Sequence, residues 1–317
     1  MILVTGALGY VGRHLVPALA AAGHTVRVLA PARWHNRLPF ALDGVTLYAG
    51  TIFDPEALFK AVTGTHTVFH LASGQWWGRL NDLEYIDLEG TQNVLQAGRA
   101  ARIGRLIALS HIGAERRSAF HLHQVKGRME ELIKDSGLAY TIFRVGVVFG
   151  PEDHFVNNLA RVLHSNPFFV FQPGDGEALL NPLHIDDLTE ALVRSLDVFD
   201  LVDTILEIGG PEYLTYNEMM RTVMRVTRTQ RSIISLPPYY MRFMSSVLRL
   251  LPPRWPITPQ WYDILAGNRT APLGHLYDYT GIRPRRFEDT LLTYMPQRRY
   301  WLEYWRYLAS RRRRNAF

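Results

Sequence analysis

A glycine-rich stretch near the start of the chain decides the fold: Thr5-Gly6-Ala7-Leu8-Gly9-Tyr10-Val11-Gly12. It follows the apolar run Ile2–Thr5 and precedes a helical pattern near 10–22. Glycine at 6 permits a tight turn, glycine at 9 lets the backbone approach a pyrophosphate, and glycine at 12 lets the helix pack closely on the strand. The N-terminus of that helix offers amide groups and a positive dipole to phosphates. The stretch therefore predicts a dinucleotide-binding strand, turn and helix.

Short apolar runs alternate with helical patterns over the first half of the chain. Apolar strands separated by helices indicate βαβ units with right-handed crossovers and a parallel sheet covered on both faces. We therefore predict an α/β protein with a Rossmann-like, doubly wound parallel sheet, whose ligands bind at the carboxyl ends of the strands. The predicted strands are Ile2–Thr5, Thr25–Leu29, Val45–Tyr48, Thr67–Leu71, Leu106–Ser110 and Tyr140–Arg144, and the predicted helices lie near 10–22, 54–62, 84–101 and 118–136.

The pattern loosens after Gly150-Pro151, which predicts a smaller, mostly α-helical C-terminal subdomain of substrate type. Helical patterns occur near 153–165, 186–197 and 215–227, and Thr204–Ile208 is a predicted strand. We predict an NAD(P)-binding domain over 1–150 and the smaller subdomain over 151–297, with some of its elements returning to the main sheet. Residues 298–317 form an aromatic, arginine-rich tail.

Two proline pairs bracket one more predicted helix, Pro237-Pro238 on one side and Pro252-Pro253 on the other. Apolar side chains recur at helical spacing between them, so they share one face, and polar side chains lie opposite. The apolar face comprises Tyr240, Phe243, Met244, Val247, Leu248 and Leu251.

Charge is concentrated at the end of the 317-residue chain. The 35 basic and 29 acidic side chains give a formal charge of +6, and residues 298–317 hold seven arginines and one acid, 7 − 1 = +6, so the rest is balanced. A balanced body lacks the basic face that nucleic acids require, and we expect no specific nucleic acid partner. The absence of cysteine excludes disulfides and thiolate metal sites, and no metal is expected. No apolar run is long enough to predict a membrane-spanning helix.

The end of the second predicted strand bears on the choice of cofactor. An acidic side chain at this place would hydrogen-bond the ribose hydroxyl of NAD. The stretch from Ala30 to Arg37 has no acid and contains two arginines, Arg33 and Arg37, which suit a 2′-phosphate. NADP(H) is therefore favoured over NAD(H). The alternative interpretation is that both arginines are solvated loop residues.

With these motifs, the sequence resembles the extended and atypical branch of the short-chain dehydrogenase/reductase superfamily over roughly residues 1–300. Within that branch, Phe149–Asn157 and the aromatic part that ends near Met295 are similar to the dehydrogenase-like accessory subunit of respiratory complex I and its bacterial relatives. The markers of the superfamily are Thr5–Gly12, Asp54, Phe69–Ala72, Asp87–Val94 (Asp-x-x-Gly-Thr-x-Asn-Val), Arg144–Pro151, Asn181–Asp187 and Gly209–Pro211.

The resemblance implies an active site with a Ser or Thr and a Tyr-x-x-x-Lys motif. The tyrosine of the family exchanges a proton, while the lysine binds the ribose and lowers the pKa of the tyrosine. Lys126 matches the lysine, and Ser110 and His111 lie at the place of the Ser or Thr. With the glycine stretch and the two arginines, the predicted cofactor-binding residues are Thr5, Gly6, Leu8, Gly9, Tyr10, Val11, Gly12, Arg33, Arg37, Leu71, Ala72, Lys126 and Val145.

The chain departs from the family at the tyrosine, because Leu122 stands four residues before Lys126. A leucine cannot exchange a proton, and general acid–base catalysis contributes about 10²–10⁴-fold to a rate. We therefore expect impaired catalysis and a bound cofactor that stabilises the fold by mass action. A histidine, His111, His121 or His123, is a candidate replacement for the missing acid. The alternative is that these are surface or capping histidines.

The tail combines aromatic residues with arginines. On a helix, Trp301, Tyr304, Trp305 and Leu308 share one face, and Arg311–Arg314 follow. Such a segment suits an anionic membrane surface, docking on a larger protein complex, or packing on its own domain, and all three remain open.

The leading hypothesis is an NADP(H)-binding, catalytically impaired protein that serves a larger assembly, such as a respiratory or photosynthetic electron-transfer complex, at the cytoplasmic membrane face. One alternative is an active NAD(P)-dependent reductase, epimerase or dehydratase on a nucleotide-sugar or quinone-like substrate. A third hypothesis, an RNA-binding or assembly factor, is disfavoured by the charge-balanced body.

Overall fold

The computed structural model describes residues 1–34, 38, 40, 43–76, 80–248 and 256–309. Four features singled out in the sequence lie outside the described residues, namely Arg37, Leu251, the pair Pro252-Pro253 and the arginine run Arg311–Arg314.

Seven parallel strands form the central sheet, in the spatial order β11-β6-β5-β4-β1-β2-β3. The order turns back at β1, which pairs with β2 on one side and β4 on the other. In a doubly wound sheet this switch point opens a crevice at the carboxyl ends of the strands. The strands are β1 Ile2–Thr5, β2 Val26–Ala30, β3 Val45–Ala49, β4 Thr67–His70, β5 Arg105–His111, β6 Tyr140–Val145 and β11 Thr204–Ile208.

Helices cover both faces of this sheet, as predicted. Alternate side chains of β1 point to opposite layers: Leu3 belongs to one apolar cluster, and Ile2 and Val4 belong to the other. The helices are α1 Tyr10–Ala21, α2 Pro55–Val62, α3 Leu80–Glu84, α4 Gly90–Ala101, α5 His121–Lys134, α6 Val156–Leu163, α7 Ile185–Arg194, α8 Tyr216–Val226, α9 Pro238–Leu248, α10 Pro259–Ile264, α11 His275–Thr280, α12 Phe287–Tyr294 and α13 Tyr300–Ala309.

The predicted helix near 84–101 is interrupted. Its first part, Tyr85–Glu89, is a π-helical segment between α3 and α4. A π-helical turn carries one extra residue and re-aims the side chains around it, and such turns are common at functional sites. Residue periodicity alone did not predict this change, because the apolar pattern continues through it.

The second half of the chain contributes to the main sheet as well as to smaller units. Strand β11 pairs in parallel with β6, and α7 packs beside α1. The fold class predicted from the sequence is therefore confirmed. The remaining strands form three pairs: β7 Val148–Phe149 with β10 Leu183–His184, β9 Leu179–Leu180 with β12 Leu214–Thr215, and β8 Phe169–Pro173 with β13 Ser232–Leu236.

Helix α9 occupies the place predicted between the proline pairs, and its apolar face points outward. Tyr240, Phe243 and Met244 are each at least half exposed. The side that packs inward carries Met241, a member of the larger apolar cluster, and the buried Ser245. None of the helices within the described residues is both long and apolar enough to cross a bilayer.

The first half of the tail is a helix that packs on α6. Tyr300 of α13 is 1% exposed and its hydroxyl donates to Asn157 Oδ1 across 3.3 Å. Arg298 Nη1 donates to the same oxygen across 2.6 Å. Trp301 and Trp305 point away from this contact and are more than half exposed. Of the three alternatives for the tail, intramolecular packing therefore holds for residues 300–309.

Substituting Tyr300→Ala should lower the free energy of unfolding by about 3 kcal/mol, because it empties a fully buried aromatic site. The matched control is Trp301→Ala on the next residue, where an exposed side chain is lost and the change should stay within about 0.5 kcal/mol. Chemical denaturation followed by circular dichroism measures both. Equal effects of the two substitutions would contradict the packing of α13.

Candidate functional site

The glycine turn between β1 and α1 is built by close backbone packing. Gly6 has φ +70°, and a Cβ atom on it would lie 2.5 Å from Ala72 N, at the end of β4. A Cβ on Gly12 would lie 2.5 Å from both Gly6 O and Ala7 Cα. Both positions therefore require glycine, as predicted from the spacing. The turn is held by the backbone hydrogen bond from Gly9 N to Gly6 O, 2.9 Å long.

The N-terminus of α1 suits a phosphate group. Gly9 is the N-cap residue, and it has no side chain with which to satisfy the amides of the first turn. The first turn, from Tyr10 to Arg13, contains no acidic residue that would repel an anion. The backbone amides and the helix dipole therefore face the crevice at the switch point, and the residues present fit the pyrophosphate of a dinucleotide.

Further predicted cofactor residues gather at the same edge of the sheet. Thr5 ends β1, Leu71 and Ala72 follow β4, and Val145 ends β6. Arg33 lies in a short 3₁₀ turn, Ala32–Trp34, directly after β2, and is exposed. An exposed arginine at the end of the second strand is in the region where the adenosine ribose lies in this type of fold.

A buried histidine braces the carboxyl ends of β1 and β4. His70 Nδ1 lies 2.8 Å from Thr5 Oγ1, and its Nε2 lies 2.9 Å from Thr91 Oγ1. Burial lowers the pKa of His70 to about 4, so the ring is neutral near pH 7. Since both ring nitrogens contact hydroxyl groups, His70 holds the ends of β1 and β4 in place. This role was not predicted from the sequence.

Lys126 makes an ion pair with Asp87 in the protein interior. The two side chains are 4% and 0% exposed, and Lys126 Nζ lies 2.7 Å from Asp87 Oδ1. The ammonium group also lies 3.4 Å from Ser73 Oγ and from the carbonyl oxygen of Leu109. An ammonium group has three N–H donors, so these three acceptors match its full capacity.

Asp87 is the partner that sequence reasoning missed. It belongs to the π-helical segment, and its carboxylate also accepts hydrogen bonds from Ser73 Oγ and from the Gly74 amide, the latter 2.8 Å long. The signal was present in the quoted marker Asp87–Val94, which contains an acid four residues before Thr91. No contact could be assigned there from the sequence, because Asp87 and Lys126 are 39 residues apart.

Leu122 is a core residue and has no place in a proton pathway. Its side chain is fully buried within the larger apolar cluster. Its amide donates to Asp263 Oδ2 across 3.0 Å, which ties the start of α5 to α10. The residue at the family's tyrosine position therefore stabilises the packing of α5.

A group of buried polar side chains lies beside Lys126. Ser110 Oγ, His111 Nε2 and His123 Nδ1 are inaccessible to solvent and find no hydrogen-bond partner among the described residues. The rings of His111 and His123 are 5.2 Å apart, and Arg269 Nε lies 3.1 Å from His123 Nε2. Unsatisfied buried polar atoms are costly, so these three atoms are candidates for a bound water or ligand.

The two histidines of this group are poor proton donors near neutral pH. Burial, reinforced by the charge of His123, lowers the pKa of His111 to about 3. Burial and the nearby Arg269 lower the pKa of His123 to about 4. His111 Nδ1 lies 3.0 Å from the carbonyl oxygen of Ile112, which fixes the proton on Nδ1 and leaves Nε2 as an acceptor. His121, the third histidine considered, lies at the start of α5 near Glu84.

The motif Phe149–Asn157 connects α1 with α13. Asp153 is buried and accepts hydrogen bonds from the amides of Phe155 and Val156, so it caps the start of α6. Asn157 Nδ2 donates to Gly150 O and Asp153 Oδ2, while its Oδ1 accepts from α13 as described above. Burial raises the pKa of Asp153 to about 6 against the lowering effect of these hydrogen bonds.

Glu152, in the same motif, adds a direct contact to α1. Its backbone adopts a left-handed conformation, φ +66°, and its carboxylate lies 3.0 Å from Arg13 Nη1.

The described part of the chain contains no group of histidine, aspartate or glutamate residues arranged to hold a metal ion.

Residues 6–156 match a family described as NAD(P)H-binding. An uncharacterised protein of Mycobacterium tuberculosis is 29% identical over 276 residues, 82% of this chain, and the match spans only 28% of the length of that relative.

Two relatives with assigned roles are also similar. The mitochondrial NADH dehydrogenase [ubiquinone] 1 alpha subcomplex subunit 9 of Dictyostelium discoideum is 25% identical over 253 residues, which are 77% of this chain and 69% of the relative. The photosystem II assembly factor Ycf39 of Cyanophora paradoxa is 32% identical over 145 residues, which are 45% of this chain and 44% of that protein.

Solved structures share the fold at low sequence identity. The NADPH-dependent quinone oxidoreductase QOR2 of Escherichia coli, complexed with NADPH, matches with a TM-score of 0.72 and 18% identity, covering 92% of this chain and 98% of the other. The UDP-glucuronic acid 4-epimerase of Bacillus cereus, in complex with UDP-glucuronic acid and NAD, matches with a TM-score of 0.69 and 19% identity, covering 93% and 99%.

These findings agree with the glycine turn and the strand order. They confirm the resemblance drawn from the sequence: the chain is similar to atypical, NAD(P)-binding proteins of the short-chain dehydrogenase/reductase type.

Proposed function

We propose that the chain binds an NADP(H) dinucleotide chiefly as a structural ligand and has lost the proton-coupled hydride transfer of its superfamily. Bound dinucleotide supplies a nicotinamide that can carry hydride. The residues of this chain bind the pyrophosphate at the Gly6–Gly12 turn, contact the adenosine ribose with Arg33 and border the nicotinamide side with Lys126 and Val145. A ligand that binds only the folded state raises its stability in proportion to the logarithm of its concentration.

The observation that carries the proposal is the pairing of Lys126 with Asp87 next to a core leucine at position 122. In the family, the lysine acts on a tyrosine whose pKa it lowers. Here that tyrosine is absent, and the lysine charge is matched by a buried carboxylate 2.7 Å away. In this proposal Lys126, at the position that organises proton transfer in the family, is part of the interior and links α5 to the π-helical segment before α4.

We further propose NADP(H) in preference to NAD(H). The support is the exposed Arg33 after β2, together with the absence of an acidic residue in Ala30–Arg37. A guanidinium group presents a planar set of donors that match a phosphate monoester.

The third part of the proposal concerns the partner. The chain is similar to a subunit of NADH dehydrogenase and to an assembly factor of photosystem II, both named for large complexes. We propose that it is likewise a structural or assembly component of a membrane-associated electron-transfer complex, bound peripherally at the cytoplasmic face. In this proposal residues 1–150 bind the dinucleotide, 151–297 complete the body, and 298–317 form the tail.

One observation favours a second candidate function, an active reductase or epimerase. The unsatisfied Ser110 Oγ and His111 Nε2 lie beside Lys126 at the carboxyl end of β5, where a substrate polar group would be accommodated. His111 Nε2 would accept a hydrogen bond from a substrate hydroxyl. The lowered pKa of His111 makes it a weak base, which is why this candidate ranks second.

Gly9→Asp should weaken dinucleotide binding strongly while the protein stays folded. The added carboxylate would occupy the phosphate position and cap α1, so NADPH affinity should fall at least about tenfold. Gly9→Asn is the matched control, because it has the same size and capping ability without the charge. Thermal unfolding with and without NADPH measures both variants. If wild-type protein gains no thermal stability from NADPH or NADH, the cofactor proposal fails.

Arg33→Gln should weaken NADPH binding about tenfold and leave NADH binding nearly unchanged, because only the 2′-phosphate loses a charge-assisted hydrogen bond. Nicotinamide fluorescence titration gives both dissociation constants. Equal losses for NADPH and NADH would show that Arg33 does not select the phosphate.

Lys126→Met should destabilise the protein by about 3–5 kcal/mol, since it leaves the Asp87 carboxylate buried without a counter-charge. Adding Asp87→Asn should restore most of that stability. Denaturant unfolding of the single and double variants measures the effect.

Wild-type protein should show no NADPH oxidation with a panel of carbonyl and quinone substrates. Turnover that is lost in a folded His111→Ala variant would instead support the active-enzyme alternative.

A further inference from the structure

The outer surface around α9 is apolar and aromatic. Tyr239, Tyr240 and Phe243 are 69%, 57% and 67% exposed, and Met244 and Val247 are also exposed. Single exposed apolar residues are ordinary, whereas a contiguous exposed apolar face marks a surface that contacts another phase or molecule.

The strand pair that leads into α9 has the same character. Ile234 of β13 pairs in register with Phe171 of β8, and both are about 40% exposed. Phe169, two residues from Phe171, lies on the same side of its strand and is exposed, while Val170 between them is buried. Helix α9 starts two residues after the end of β13, so exposed apolar side chains continue from the strand pair into the helix.

Charge in this region has one sign. Residues 219–248 contain no acid, and they contain five arginines: Arg221, Arg225, Arg228, Arg231 and Arg242. Arg225 is paired with Glu288 and Arg242 with the buried Asp263. The remaining three keep the region positive, although the chain up to residue 297 is balanced as a whole.

Residues 219–248 combine the exposed aromatic and aliphatic face of α9 with five arginines and no acid, which is the composition of segments that lie in the interface of an anionic bilayer. Tyrosine prefers the level of the lipid headgroups, and arginines are attracted to anionic lipids. A protein partner would recognise the aromatic residues too, but the one-sided charge over thirty consecutive residues matches a uniformly anionic surface better than a protein surface of mixed charge.

We propose that the exposed face of α9, with Phe169, Phe171 and Ile234 beside it, is a monotopic membrane-binding surface that inserts its apolar side chains into an anionic lipid bilayer. The helix lies flat in the headgroup region, as amphipathic interfacial helices do. Binding to lipid and binding to NADPH are measured separately.

The test is co-sedimentation of the full chain with vesicles of phosphatidylcholine alone and of equal parts phosphatidylcholine and phosphatidylglycerol. The surface variant carries Tyr240→Ser, Phe243→Ser and Met244→Ser. The matched control carries Phe59→Ser, Phe199→Ser and Tyr277→Ser, three exposed apolar residues on other elements. A melting temperature and an NADPH titration for each variant establish that it is folded.

We expect wild-type protein to bind the anionic vesicles, the surface variant to bind them at least about tenfold more weakly, and the control to stay within about twofold of wild type. Preference for anionic over neutral vesicles should fall at high salt. Wild-type binding that survives in the surface variant, or that is lost only when the chain ends at Ala309, would overturn the proposal. Failure of wild-type protein to bind either vesicle would also overturn it, and would leave a protein partner as the occupant of this face.

Discussion

The close approach of three backbone segments at Gly6 and Gly12 is the constraint on which the rest of the structure depends. Without side chains at these positions, the turn after β1 packs against the end of β4, and α1 packs against the same turn. This contact sets α1 under the sheet with its N-terminus at the switch point. The predicted dinucleotide site therefore depends on the close packing of β1, β4 and α1.

A second constraint concerns the buried Lys126. A buried lysine must have a counter-charge, and Asp87 provides it within the interior. The π-helical segment aims that carboxylate, and the Ser73 hydroxyl and Gly74 amide complete its hydrogen bonds. The ion pair between Lys126 and Asp87 holds α5 and the π-helical segment before α4 together.

The sequence predicted most of the fold because its signals are local. The glycine spacing, the apolar strands and the capping box of α8, where Thr215 and Glu218 bond reciprocally, each depend on a few neighbouring residues. The site was harder to predict, because its decisive contacts join distant residues: Lys126 with Asp87, Leu122 with Asp263, His123 with Arg269. For α9, periodicity identified the apolar face but carried no information about whether that face turns inward or outward.

Asn157 connects parts of the chain that are made at very different times during synthesis. Its amide contacts Gly150 and Asp153, beside the first helix, and its oxygen accepts from Arg298 and Tyr300, near the last described residues. Strand β11, which completes the sheet next to β6, also arrives late. The sheet edge at β6 and the hydrogen-bond network of Asn157 are therefore completed by residues that follow the N-terminal half in the sequence.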